Sequence, residues 1–136
     1  MSLALEQLLP HRPPMRWIDE LVEVTDTTAR ATTCFAADHF AVADGAVIET
    51  ALVECVAQTV AAAQGARAGA SGKSGSPAGG MLAAVSGFQI ASRPPCGQTL
   101  HIAVREVKRF GPMMLVSGTV TCGGQTVAAG ELTLYA

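Results

Sequence analysis

VIETALVECVAQTVAAAQ, residues 47–64, runs for eighteen positions without Pro or Gly and carries only six polar side chains: Glu49, Thr50, Glu54, Gln58, Thr59 and Gln64. The run predicts a helix roughly 27 Å long at the α-helical rise. Because it is apolar on nearly every side, it belongs inside something rather than on a surface. A membrane span is the rival reading. The two Glu argue against it, since each costs a few kcal/mol at the centre of a bilayer. Asp44 is expected to cap the start of the helix and Gly65 to close its end.

Working outward, the flanks read as strands. Met15 to Val24 leads into a strand, Asp26 and Thr27 make a turn, and Thr28 to Phe35 is a Thr-rich second strand. On the other side lie Leu82–Ile90, Leu100–Lys108, Met113–Thr121 and Thr126–Tyr135. The third of these boundaries meets the fourth at Gly123-Gly124, a hairpin signal. Leu3–Leu9 is a short helix stopped by Pro10, and Pro13-Pro14 holds the next residues extended. The stretch from about 65 to 80 is Gly/Ser-rich and is expected to be a flexible connection. Its Gly72-Lys73-Ser74 is not a phosphate loop, because Arg67 stands where such a loop has its first Gly and no strand precedes it. One buried helix and a meander of strands have an obvious packing solution: an α+β domain with an antiparallel β-sheet wrapped around one long central helix.

Composition narrows the function classes. With 136 residues the chain suits a single domain, and 49% hydrophobic against 15% charged residues is enough for a core and too little charge for a disordered chain. A net charge of −2 argues against a nucleic-acid surface. The densest basic group, Arg105, Lys108 and Arg109, reads as a solvated face or as a docking patch for an acidic carrier. Cys34, Cys55, Cys96 and Cys122 form no Cys-x-x-Cys pair and have no His at zinc-ligand spacing, so no metal is expected. The opening MSLALEQLLPHR lacks the form of a signal peptide, and the expected setting is cytoplasmic with reduced thiols.

Four motifs carry a resemblance: Leu9-Pro10-His11-Arg12, with Asp19 beyond it; His39-Phe40; Glu54-Cys55-Val56-Ala57-Gln58; and Arg93-Pro94-Pro95-Cys96-Gly97. Together they resemble the FabZ-type 3-hydroxyacyl-ACP dehydratases, which have the hot-dog fold. Their Leu-Pro-His-Arg opening, His-Phe loop, Glu-x-x-Ala-Gln helix and Arg-rich strand end appear here in order. The loop Ala41 to Ala46 departs from the family, having no proline where the family has a Pro-Gly-rich segment. In this the chain is similar to a divergent branch, the dehydratases of aryl-polyene pathways. The resemblance implies dehydration of a 3-hydroxyacyl thioester on acyl carrier protein, or on CoA, to a trans-2-enoyl thioester. It also implies a homodimer or higher even oligomer with its site at the subunit interface, no cofactor, and neither nucleic acid nor membrane as a partner.

Such an elimination needs a base for the α-proton, an acid for the departing hydroxyl and donors for the thioester oxygen. His39 is the expected base, because imidazole titrates near neutrality. Glu54 is the expected acid, a carboxyl set in an apolar helix with small residues around it and Gln58 one turn on. Gly45, Ala46 and Val47, at the amino end of the helix, are expected to hold the carbonyl, with Gln58 also at the substrate. Glu49 suits the helix dipole better than chemistry, His11 is structural in the resembled family, and His101 falls on the polar side of its strand. Two rivals remain: a hot-dog thioesterase using Glu54 either as nucleophile or to position a water, and a non-catalytic subunit that binds acyl chains or completes a heterodimer.

Overall fold

A computed structural model of the chain describes residues 4–9, 12–13, 15–70 and 81–135. In order it forms α1 (Leu5–Leu8), β1 (Glu20–Val24), β2 (Thr28–Thr33), β3 (Val42–Ala43), β4 (Ala46–Val47), α2 (Glu49–Ala70), β5 (Met81–Ile90), β6 (Leu100–Phe110), β7 (Met113–Cys122) and β8 (Gln125–Tyr135). Six strands make one sheet in the order β1-β2-β6-β7-β8-β5, and every neighbouring pair is antiparallel. The sheet wraps α2. This is the hot-dog arrangement expected from the sequence.

The alternation read in the strands decides which side faces the helix. In β6, Leu100, Ile102 and Val104 are buried while His101, Ala103 and Arg105 are exposed. Met114, Val116 and Val120 of β7 and Leu132 and Leu134 of β8 complete the inner layer. Against it lie Leu52, Cys55, Val56 and Thr59 of α2, all without exposed surface. The uncovered side of the helix is a stripe through Thr50, Val53, Glu54 and Ala61, one to two turns apart. Glu54 is therefore on the face that its own sheet leaves open.

The ends of α2 differ from expectation. Asp44 does not cap it. Asp44 (φ 54°) and Gly45 (φ 75°) form the two-residue turn of the β3–β4 hairpin, and the helix begins only at Glu49. Nor does Gly65 end it. A Cβ at Gly65 would stand 2.7 Å from the Leu8 carbonyl oxygen, so the missing side chain is what lets α1 cross α2. The next turn is tied down by Arg67, which donates to the Thr25 and Thr28 carbonyls at 2.8 and 3.1 Å. Tertiary anchoring thus carries the helix to Ala70, through the first part of the stretch read as a flexible connection. The rest of that stretch, 71–80, lies outside the described residues.

β5 is a sheet edge. Leu82 and Val85 sit opposite Leu134 and Leu132, whose side chains face the core, yet they are 37% and 48% exposed. Their inner-face position lies beyond the cover that α2 gives. No described helix is long and apolar enough to cross a membrane.

Candidate active site

His39 sits in the loop between β2 and β3, fixed by two consecutive turns. Its N–H donates to the Ala36 carbonyl at 3.0 Å, and its carbonyl accepts from Val42 N–H at 3.0 Å. The half-buried ring is packed by aromatics. Phe35 and Trp17 meet it edge-on at 5.0 and 6.2 Å between centroids, and Phe40 stacks on it at 4.8 Å. His39 Nδ1 accepts a hydrogen bond from the Ala41 backbone N–H at 2.9 Å. A ring nitrogen that accepts carries no proton, so in the neutral ring the proton is on Nε2. Nε2 is neither bonded to a described residue nor shut away from solvent.

Glu54 is half-buried in the middle of α2 and is held from the next turn of the helix. Gln58 Nε2 donates to Glu54 Oε2 at 3.2 Å and to the Met15 carbonyl at 2.8 Å, and Gln58 Oε1 accepts from Trp17 N–H at 2.7 Å. The main-chain partners leave the Gln58 amide one orientation, with its NH2 toward Glu54. Gln58 is 1% exposed, and these bonds use both of its N–H groups, so it faces its own chain rather than open space. Beside Glu54, burial first, then the charges of Glu54 and Asp19, push the Cys55 thiol far above its ordinary range. It stays protonated and is no nucleophile.

Gly45, Ala46 and Val47 lie at the β3–β4 hairpin just before α2, and the chain itself takes up much of their backbone. Val47 N–H donates to the Pro94 carbonyl at 2.9 Å, Cys96 N–H donates to the Gly45 carbonyl at 2.9 Å, and Ala46 bridges to Pro95. Arg93 grips the hairpin from outside the helix. Its Nε donates to the Val47 carbonyl at 3.1 Å, and Nη2 donates to the Ala46 and Ala43 carbonyls at 2.9 and 2.5 Å. Glu49 lies 3.8 Å from Arg93 Nε. The Val47 amide, expected to bind a thioester oxygen, is thus committed to Pro94. Gly97 N–H donates to the Phe35 carbonyl at 2.8 Å, which joins the same segment to the His39 loop.

His39 and Glu54 do not bond to each other within one chain. Trp17 links their surroundings: its N–H donates to Gln58, its ring packs in the cluster around His39, and its carbonyl accepts from the Thr33 hydroxyl. Trp17, Ala41 and Arg93 escaped the reading of the sequence as site residues. Trp17 is the chain's single Trp and follows the Leu-Pro-His-Arg segment; Arg93 opens the quoted Arg-Pro-Pro; Ala41 carries no side-chain signal. His101 is exposed as expected. His11 lies outside the described residues. Two concavities lie elsewhere, on the outer face of the sheet around Arg30, Ala103 and Thr119, and neither includes His39 or Glu54.

Comparison with known proteins adds the family. The family model for ApeP-like proteins, described as ApeP dehydratase, matches residues 3–136. No curated protein matches by sequence. Among solved structures, the dehydratase heterocomplex ApeI:P from Xenorhabdus doucetiae is similar at TM-score 0.87 and 21% identity, over 98% of this chain and 90% of that one. The smu.793 protein of Streptococcus mutans, solved bound to acetyl CoA, is similar at TM-score 0.68 and 19% identity, over 94% of each chain. The PaaI protein from the phenylacetic acid degradation operon of E. coli follows at TM-score 0.66 and 12% identity, over 85% of this chain and 81% of that one. At these identities the likeness to the three structures is one of fold.

Proposed function

The chain belongs to the ApeP-like dehydratase family, and from that premise we propose that it dehydrates a 3-hydroxyacyl thioester, carried by acyl carrier protein or CoA, to the trans-2-enoyl thioester. His39 and Glu54 are the reacting pair of this reading. The observation that carries it is the holding of Glu54: a carboxylate on the open face of a buried helix, oriented by a buried Gln58 that has no second conformation to offer. A carboxylate placed there for stability alone would be a poor choice, because an apolar side chain avoids its desolvation.

The site of this reading is completed by a second hot-dog chain. Two observations favour that. No hydrogen bond joins His39 to Glu54 within one chain, and the inner side of β5 together with the open stripe of α2 leaves Leu82, Val85 and Val53 incompletely covered. An apolar, unpaired edge strand is a template for a partner strand. The similar Xenorhabdus protein is part of a heterocomplex, so the partner is either another copy or a related chain. The purified protein, alone and mixed with candidate hot-dog partners, is incubated with 3-hydroxyacyl-ACP and the enoyl product is followed. Turnover that His39→Ala and Glu54→Gln leave intact sinks the assignment. Release of free thiol without enoyl product turns the reading to a thioesterase. Activity only in the mixture, insensitive to both substitutions here, makes this chain the non-catalytic subunit.

A further inference from the structure

The side of the sheet that faces away from α2 carries a pattern centred on β7. Met113, Leu115, Ser117 and Thr119 are its outward residues, alternating with buried Met114, Val116, Gly118 and Val120. Each has one neighbour directly opposite on β6 and one on β8. Phe110 and Tyr135 flank Met113, Lys108 and Thr133 flank Leu115, Arg105 and Glu131 flank Ser117, and Ala103 and Ala129 flank Thr119. We propose that this face packs against the same face of a second copy of the chain, about a twofold axis that runs along β7.

A half-turn about that line exchanges the flanks, so each β6 residue of one copy lies over the β8 residue of the same row in the other. Arg105 then faces Glu131, Phe110 faces Tyr135 and Ala103 faces Ala129, and every contact occurs twice, as in any isologous interface. Charge singles out this occupant. Among the described residues, the side chains of Arg105 and Glu131 have no ion-pair or hydrogen-bond partner. They stand two strand spacings apart, about 10 Å, on either side of a short Ser. Sheets packed face to face leave a gap of about 10 Å, which an extended Arg and Glu span together. The nearby Arg30 is already matched at home, its Nε donating to Glu23 Oε1 at 3.3 Å.

Shape agrees with charge. A concavity of about 300 Å³ lies between Arg30, Ala103, Arg105 and Ser117, and the half-turn brings the second copy's Glu131 over it. At the end of the face, Phe110 and Tyr135 are 46% and 51% exposed, so two aromatic rings that stand in water gain cover from each other. The face is separate from the inner side of β5 and the open stripe of α2, where the reading above places the chain that completes the site. Both surfaces can therefore be used at once, and two site-forming pairs join back to back into a closed assembly. Nothing in this depends on the dehydration reading, since neither His39 nor Glu54 lies on the outer face.

Sedimentation velocity of the purified chain tests this. Arg105→Glu sets Glu against Glu131 twice in each interface, and Glu131→Arg sets Arg against Arg105. Each is expected to halve the sedimenting mass and to raise the dissociation constant at least about a hundredfold, because like charges brought face to face are strongly disfavoured. Mixing the two variants is the sharper arm. One copy then brings Glu at both positions and the other Arg at both, every facing pair is again opposite in sign, and the parent mass should return. Pairing within a chain cannot rescue a mixture of chains. Ser117→Glu lies on the axis, meets itself and should also halve the mass; it decides the matter alone if either reversed variant fails to unfold cooperatively in circular dichroism. A parent that sediments no heavier than Ser117→Glu overturns the proposal. So does a mixture of two folded reversed variants that stays at the halved mass.

Discussion

Trp17 donates its backbone N–H to the side-chain oxygen of Gln58 at 2.7 Å, across 41 positions of sequence. That bond joins the N-terminal segment to the central helix, and the same Gln58 then reaches Glu54 one turn back. A single amide thus ties the fold to the candidate chemistry. Replacing it separates the two effects.

Gln58→Leu keeps the approximate size and removes every hydrogen bond. The Trp17 N–H and the Met15 carbonyl lose the partner they share. The expected loss of stability is about 1–3 kcal/mol, the cost of stranding buried polar groups, seen as a lower denaturant midpoint at unchanged slope. Turnover is expected to fall further, by about 10²-fold, because Glu54 Oε2 loses the donor that orients it. A midpoint shift with turnover unchanged would leave Gln58 a purely structural residue.

Arg93→Lys tests the clamp on the β3–β4 hairpin. A guanidinium spreads several N–H groups in a rigid plane and here serves three carbonyls, whereas an ammonium is a point donor on a flexible stem. The Arg93 side chain is 31% exposed, so water rescues part of the loss. The expected cost in stability is about 1 kcal/mol. The sharper sign is local: hydrogen exchange at the Val47 and Cys96 amides, which bond across this segment, should quicken well before global unfolding. Unchanged protection at both amides would mean that the backbone bonds hold the hairpin without Arg93.

The helix was legible because its signal is long and uninterrupted, and the strands because their alternation survives in one chain: Leu100, Ile102 and Val104 are buried as the pattern says. Glu54 was legible as an anomaly in that helix. What stayed hidden was decided by backbone and by distance. Gly65 reads as a stop, and only the crossing of Leu8 turns it into a contact. Asp44 reads as a cap, and only the pairing of Val42 with Val47 makes it a turn. The hydrogen bond that fixes the His39 ring comes from the amide of Ala41, and main-chain donors leave no trace in residue identity.

Cys55 gives the protein an alkaline limit. Its thiol is raised in the folded state above the ordinary value of 9.0, by burial first and then by the charges of Glu54 and Asp19. A raised acid keeps its proton when folded and loses it when unfolded, so above pH 9 the unfolded chain binds fewer protons than the folded one. Stability from this group is whole below pH 9 and declines as pH rises beyond it, at up to about 1.4 kcal/mol per pH unit for one proton. Cys55→Ala leaves a small cavity and a lower baseline, but the decline between pH 9 and 10.5 should flatten to about what the remaining groups produce. An equal slope in parent and variant would show that Cys55 is not the group responsible.

The contact between α2 and β7 is close enough to be measured as a pair. A Cβ on Gly118 would stand 2.4 Å from Val56 Cγ1, and Val56 is wholly buried, so nothing there yields easily. Gly118→Ala should therefore cost about 1–3 kcal/mol by overpacking. Val56→Ala alone should cost about 1–3 kcal/mol by leaving a cavity. Each change supplies what the other lacks: the new methyl enters the space that the lost methyls vacate. The double variant should be more stable than the sum of the single losses predicts, with a coupling of about 0.5–3 kcal/mol. Since α2 carries Glu54 two positions before Val56, turnover should follow the same pattern, falling in Gly118→Ala and recovering in the pair. Strict additivity in denaturant midpoints would mean that the helix shifts away from the sheet instead of clashing with it, and Glu54 would then be expected to move with the helix in Gly118→Ala alone.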